Sequence, residues 1–248
     1  MKLKLIILLS ILTYSKLLPV NLEVAFGGSL GATMDFSQIV ASLEIAKPLE
    51  GRRTDWGFSA NAFLDIGANF ELQNTGALNS VSLLFETGYN YYMRIRSKYE
   101  DILEEHKERF KYYNLILGIL PKLNFNYGIS FGIGVGIFLP LYSWASQERT
   151  ETTLGLGSYS GVSKFDFKKI SYMYKIPVMP YIKLNLERNF YMSELWVFKI
   201  GANILYNFGM EFNMENLRKD TKMYAFDKYK FSSLDFEFFL GFGFGRPK

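Results

Sequence analysis

The chain has 248 residues, 49% hydrophobic and 17% aromatic, with a formal net charge of +4 and no cysteine. This composition is too apolar for a disordered chain, and the lack of cysteine excludes disulfides, thiolate metal sites, a lipid-modified Cys and a thiol nucleophile. Outside the N-terminus no uncharged apolar stretch reaches the roughly 18 residues of a spanning helix, so any membrane crossing must be made by strands.

Residues 1–15 read as a signal peptide: Lys2 and Lys4 supply the positive region, Leu5 to Leu12 the apolar region, and Thr13, Tyr14 and Ser15 a small-residue cleavage zone. Cleavage is placed after Ser15, with a bound as late as residue 21. Lys16 and Pro19 stop the apolar run well short of a bilayer's width. Loss of Lys2 and Lys4 lowers the net charge from +4 to +2, so the basic balance does not point to nucleic acid.

From residue 22 the chain alternates with period two, as half-buried strands do. The first predicted strand, 22–34, sets Leu22, Val24, Phe26 and Leu30 against Glu23, Gly27, Ser29 and Thr33. The second, 56–72, opposes Trp56, Phe58, Leu64, Ile66 and Phe70 to Ser59, Asn61, Asp65, Asn69 and Glu71, with Phe63 breaking the polar face. In the third, 81–95, Ser82, Glu86, Asn90 and Arg94 share the polar face. The fourth, 112–123, is the least regular, because Ile116 and Leu120 fall on the face that carries Lys122.

The fifth, 128–143, alternates Ile129, Phe131, Ile133, Val135, Ile137, Leu139 and Leu141 with Ser130 and four glycines, which leave space inside and let the sheet bend. The sixth, 170–186, places Lys175 and Lys183 inward and Ile170, Tyr172 and Tyr174 outward, with a bulge or break expected at Pro177 and Pro180. The seventh, 195–212, turns Lys199, Asn203, Asn207 and Glu211 inward, with Met210 and Phe212 outward. The eighth, 234–244, carries Asp235 and Glu237.

Connections of 73–80, 124–127 and 187–194 are short and alternate with long ones at 35–55, 96–111, 144–169 and 213–232. Outer-membrane barrels show that alternation, with short periplasmic turns and long extracellular loops. A soluble eight-stranded barrel such as a lipocalin also alternates, but its interior is only just wide enough to fill with side chains. About fifty mostly large apolar side chains cannot all point inward. The reading is therefore an all-β, transmembrane, up-and-down antiparallel barrel of eight strands over 22–248, following the signal peptide.

The polar face carries Glu23, Asp65, Glu71, Glu86, Glu211, Asp235 and Glu237 against Arg94, Lys122, Lys175, Lys183 and Lys199. These nearly balanced charges are expected to pair across strands and fill the lumen, because charges persist in a barrel interior when paired and hydrogen-bonded. The alternative is a narrow channel lined by the same groups. His106, the single histidine, falls in a charged stretch expected to be a solvated loop or short helix, which gives neither a metal site nor a catalytic constellation. Gly132, Gly134 and Gly136 lie within a strand and have no phosphate-loop context. Trp56, Tyr91, Tyr142, Trp144, Tyr172, Trp196 and Tyr206 suit interfacial girdles.

The chain resembles the small eight-stranded outer-membrane barrels, the group that includes the OmpX type and the membrane domain of OmpA. The ending Phe242-Gly243-Phe244, with Glu237 upstream, is similar to the signal by which such proteins are recognised by the barrel-assembly machinery; it departs from that pattern in the Gly-Arg-Pro-Lys tail at 245–248 and in the placement of Gly241. Tyr174 to Lys183 resembles a penultimate-hairpin pattern of these barrels, and the Lys-, Phe-, Ile- and Leu-rich composition resembles that of spirochaetal proteins. The resemblance implies an integral protein of the cell outer membrane, in contact with outer-membrane lipid, monomeric and free of cofactors. The four long loops, charged, mixed in sign and tipped with Leu154, Tyr159, Phe165, Phe167, Tyr224 and Phe226, are expected to bind an external partner such as a host ligand or to support the envelope, and neither catalysis nor nucleic-acid binding is expected.

Overall fold

The computed structural model describes residues 20–41, 51–72, 76–101, 104–151, 159–221 and 226–244. The signal peptide expected at 1–15, the tail at 245–248, and Leu154 and Tyr224 of the expected loops lie outside the described residues. The strands are β1 (Val20–Ala41), β2 (Gly51–Glu71), β3 (Leu78–Asp101), β4 (Glu104–Phe125), β5 (Ile129–Glu151), β6 (Tyr159–Asp166), β7 (Met179–Tyr191), β8 (Trp196–Asn207) and β9 (Phe226–Phe244). Among the described residues there are also two α-helices, α1 (Phe167–Met173) and α2 (Met214–Thr221). No helix among the described residues is long and apolar enough to cross a membrane.

Eight strands form a closed ring in the order β1-β2-β3-β4-β5-β7-β8-β9, with β9 pairing back onto β1, and every adjacent pair is antiparallel. β6 stands outside the ring and continues the wall above β7 by pairing with the upper part of β5, from Tyr142↔Asp166 to Arg149↔Tyr159. Closure satisfies the backbone groups strand to strand, so no unpaired edge faces the surroundings at barrel level.

The two faces of the wall differ in chemistry. Outward lie Leu30, Ile66, Leu83, Val135, Leu184 and Phe238, each 42% exposed or more, with many side chains like them. Inward lie Ser, Asn, Glu, Asp, Lys and Arg side chains that are almost completely buried. A water-soluble barrel has the opposite arrangement. An exterior belt this apolar is matched by lipid.

Four departures from the expected strands have local causes. β3 and β4 run on to Asp101 and Glu104, so most of 96–111, expected as a loop or helix containing His106, is paired strand, with Lys98↔His106 in register. Both faces of that hairpin are polar in sequence, which hides a strand from hydrophobic alternation; the ladder simply extends from a barrel already formed. Second, 170–178 is not strand. α1 occupies 167–173, capped by the Asp166 side chain accepting from Lys169 N–H at 2.9 Å, and β7 begins only at Met179, after Pro177. Pro180, lacking an N–H, is tolerated because it is the second residue of that strand.

Third, β8 ends at Asn207 rather than 212. Gly209 adopts φ +63°, a conformation that costs a residue with a Cβ, and the chain turns inward there before α2. Fourth, Tyr113 pairs with Tyr142 but Asn114 pairs with Pro140, so Leu141 is an extra residue in β5. This bulge shifts the phase of the strand and brings Tyr142 and Trp144 onto the outer face.

Candidate functional site

The inward face forms three layers. Nearest the short turns, Glu23 (β1), Lys122 (β4), Glu187 (β7) and Lys199 (β8) make a quartet. Lys122 Nζ lies 3.4 Å from Glu23 Oε1 and 3.1 Å from Glu187 Oε1, and Lys199 Nζ lies 3.1 and 3.5 Å from the same two atoms. Glu23 Oε2 also accepts from Ser82 Oγ at 2.6 Å. All four residues are 4% exposed or less, and two positive charges offset two negative ones. At the mouth below, Asn21 donates to Glu71, which is only partly buried.

The middle layer holds Asp65, Glu86, Lys183 and Glu237. Lys183 bonds Glu86, whose other oxygen accepts from Tyr181 OH at 2.7 Å. Glu237 accepts from Ser29, Ser59 and Asn61 at 3.0, 3.0 and 2.6 Å, and the amide chain continues through Asn90 to Asn114 on β4. Phe63, the one apolar intruder on its face, meets Phe239 edge-on at 5.8 Å inside the barrel. Gly118 and Gly136 make room for the Tyr181 ring: a Cβ at Gly136 would sit 2.6 Å from Tyr181 Cζ.

The upper layer is aromatic. Phe138 stacks on Tyr181 at 4.6 Å, Tyr112 on Phe231 at 5.9 Å, and Tyr112 and Tyr174 join through their hydroxyls at 2.8 Å. Ile116, Ile170, Met179, Leu205 and Met210 close the same cluster. Around it, Arg94 pairs with Asp55 at 2.9 Å, Tyr92 donates to Asp35, and Asp235 is buried opposite Thr33. Helices α1 and α2 lie over this cluster and are tied together by Asn216 Nδ2 donating to Tyr172 O at 2.9 Å and Asn213 N–H to Met173 O at 2.7 Å.

The structure places Glu23, Asp65, Glu86, Arg94, Lys122, Lys183, Lys199, Asp235 and Glu237 inside the barrel and buried. Lys175 and Glu211 are not there. They form an ion pair with each other at the extracellular rim, with side chains 57% and 27% exposed, because Pro177 and Gly209 end the strands that would have carried them inward. The Lys175 hydrogen bond holds the Glu211 carboxyl below its ordinary value. Met210, Ile170 and Tyr174, expected to face lipid, are buried in the plug, and Tyr172 sits on α1 rather than in a girdle. Ile116 and Leu120 do point inward, as the polar side of their strand requires, and they fill the lumen.

Glu187, Asp35 and Asp55 belong to the interior as well, yet each fell in a stretch read as a connection. Counting Glu187 and Asp35 but not the partly buried Asp55, the buried groups among the described residues comprise seven carboxylates and four cations, so the signs do not balance as the sequence suggested. A cavity in the middle layer, about 30 Å³ between Asp65, Glu86, Lys183, Asn185 and Glu237, has room for only about two waters.

A closed eight-stranded ring with lipid-matched side chains outside and a filled polar interior defines an integral membrane barrel of the outer-membrane class. No family model matches the sequence, nor does any curated protein. Among solved structures, the chain is similar to Ail, the attachment invasion locus protein of Yersinia pestis, in complex with the heparin analogue sucrose octasulfate (13% identity, 89% of this chain and 97% of that one, TM-score 0.32). It is similar also to Neisserial surface protein A (12%, 90% and 99%, 0.36) and to the outer membrane protease OmpT of Escherichia coli (10%, 91% and 97%, 0.37). At such identities and scores these likenesses add no weight to any function.

Proposed function

We propose that this protein is a non-conducting outer-membrane barrel that presents a rigid extracellular β platform to an external partner, acting as a monomer without a cofactor and without catalysing a reaction. The observation that carries the reading is the lumen, blocked once by the Glu23, Lys122, Glu187 and Lys199 quartet and again by the aromatic plug beneath α1 and α2. Little is left inside for transport. The upper parts of β3, β4, β5 and β6 instead rise beyond the ring as paired strands, and β6 pairs only with β5, which leaves its other edge unpaired among the described residues. Rigid scaffolds that hold exposed segments in place commonly serve recognition, and an unpaired edge can add a partner's strand.

His106 lies on the projecting part of β4, which supports a role in that surface rather than in catalysis. For export and insertion, the outward Phe242 and Phe244 with inward Glu237 are proposed as the features read by the barrel-assembly machinery. The second reading, a narrow channel, draws support from the small carboxylate-lined cavity in the middle layer. Planar-bilayer recording of the refolded chain decides between them: the proposal expects a silent bilayer, and single-channel steps whose size changes in Lys199→Gln or Glu86→Gln would overturn it.

A further inference from the structure

The outer face of the barrel is uneven in charge at its upper boundary. On β4, β5 and β6, Lys111, Trp144 and Lys164 stand in one ladder row, Lys111↔Trp144 and Trp144↔Lys164. With strands about 4.8 Å apart, the two ammonium stems flank the indole at roughly 10 Å from each other. Lys164 Nζ lies 4.9 Å from the Trp144 ring centroid. The Trp144 indole nitrogen is itself buried, so the row presents the ring rather than its N–H. Arg109, two residues above Lys111 on the same face of β4, adds a third cation, and Lys168 and Lys169 of α1 are exposed nearby. Asp166, the carboxylate beside the row on β6, is already engaged in capping α1.

Directly below lies a cluster of aromatic rings. Tyr113 contacts Tyr89, Tyr91, Tyr142 and Trp144 at 5.3 to 6.4 Å between centroids. Beneath these rings come the apolar residues Leu117, Ile119, Val135 and Ile137 of the lipid belt. Aromatic rings settle at the headgroup level of a bilayer, so the basic row above them sits where lipid phosphates sit. At a similar height β9, β1 and β2 align Lys230, Gln38 and Arg52 in one row, which has no aromatic ring between its cations, and Lys230 pairs with Glu211 in an isolated bridge.

We propose that Lys111 and Lys164, flanking the Trp144 ring, form a binding surface for the phosphate of a net-anionic lipid headgroup, whose acyl chains lie along the Tyr113 cluster. Two ammonium groups on flexible four-carbon stems rooted roughly 10 Å apart can converge on the oxygens of one phosphate between them, and the apolar belt below fits its tails. The surface holds whichever partner the projecting strands bind, since it lies at the membrane boundary and not on the extracellular platform. It gives the barrel a preferred lipid side and fixes its height in the bilayer.

The test uses the full chain folded into phosphatidylcholine nanodiscs doped with a minor fraction of phosphatidylglycerol, then released into the gas phase for native mass spectrometry. The expected result is retention of phosphatidylglycerol well above its mole fraction, falling by about tenfold or more in Lys111→Gln/Lys164→Gln, in keeping with two lost headgroup cations. Lys219→Gln, an exposed cation on α2, should leave retention unchanged. Each single variant should fall between wild type and the double variant. Retention unaltered in the double variant overturns the proposal, and so does an equal loss in Lys219→Gln. Displacement of phosphatidylglycerol by inorganic phosphate at matched concentration also overturns it, since the surface would then serve free phosphate rather than lipid.

Discussion

Glu23 shows how much a single interior residue can carry. It accepts from Lys122 and Lys199 through one oxygen and from Ser82 through the other, at 1% exposure. Taking a charge out of water is costly, and the cost is recovered only while each partner remains in place. Glu23→Gln keeps the shape and removes the charge, leaving two buried ammonium groups to share Glu187. We expect a loss of about 3–5 kcal/mol in urea unfolding from lipid vesicles. Lys199→Met should cost a similar amount, and the double variant should cost less than the two together by roughly 0.5–3 kcal/mol. Additive losses would show that the pair is not coupled. The inward position of Glu23 was legible, because Leu22 and Val24 flank it on the other face of an unbroken alternation. Its partner Glu187 was not, because the strand carrying it continues past the point where apolar residues stop at Leu186 until Phe190 resumes them.

At the scale of the element, what was legible depended on whether a strand was long enough to average out exceptions. β1, β2 and β3 keep their alternation for the depth of a bilayer and were readable there, but not where they run on above it, through Asp35 to Ala41, from Gly51 to Asp55 and from Arg96 to Asp101. The stretch from Ile170 to Val178 mimics that alternation but folds as α1 and a connection, since Asp166 offers a cap and Pro177 a stop. The same misreading carried Lys175 into the lumen on paper. In the structure it meets Glu211 at the rim and links the connection after α1 to the segment leading into α2, with Lys175 N–H also donating to Glu211 O at 2.9 Å.

That rim pair carries a pH dependence of defined sign. Hydrogen bonding from Lys175 lowers the Glu211 carboxyl, with Lys228 and Lys230 adding to the effect against partial desolvation. A carboxyl depressed in the folded state contributes fully above its ordinary value of 4.5 and loses that contribution as the pH falls through its folded value. The pair is solvent-exposed, so its worth is at most about 1 kcal/mol and shrinks with salt. Hydrogen exchange at 208–217 should therefore be unchanged from neutral pH down to about 4.5 and quicken below it, once intrinsic exchange is corrected. Glu211→Gln should exchange at the quickened level at every pH. A wild-type profile that is flat to strong acid would remove Glu211 as the fastening of the rim.

For the whole molecule, the claim that organises everything else is direction: which end of the ring faces outward. Among the described residues, the connection between β4 and β5 is the three residues Asn126–Gly128 and that between β7 and β8 spans 192–195, both at one end. The projecting strands and both helices lie at the other. In outer-membrane barrels short turns lie on the periplasmic side and extended parts outside. The absence of cysteine makes the assignment directly measurable, since any thiol introduced is the only one present. Val162→Cys, on β6 and 61% exposed, should react with a membrane-impermeant maleimide in intact cells. Tyr127→Cys, in the β4–β5 turn at 85% exposure, should react only after the outer membrane is opened, and Leu184→Cys, in the lipid belt, only after detergent. Labelling of Tyr127→Cys alongside protection of Val162→Cys would invert the barrel. The projecting strands would then face the periplasm, beyond the reach of any external partner, and the basic row at Lys111 and Lys164 would meet the inner leaflet instead of the outer one.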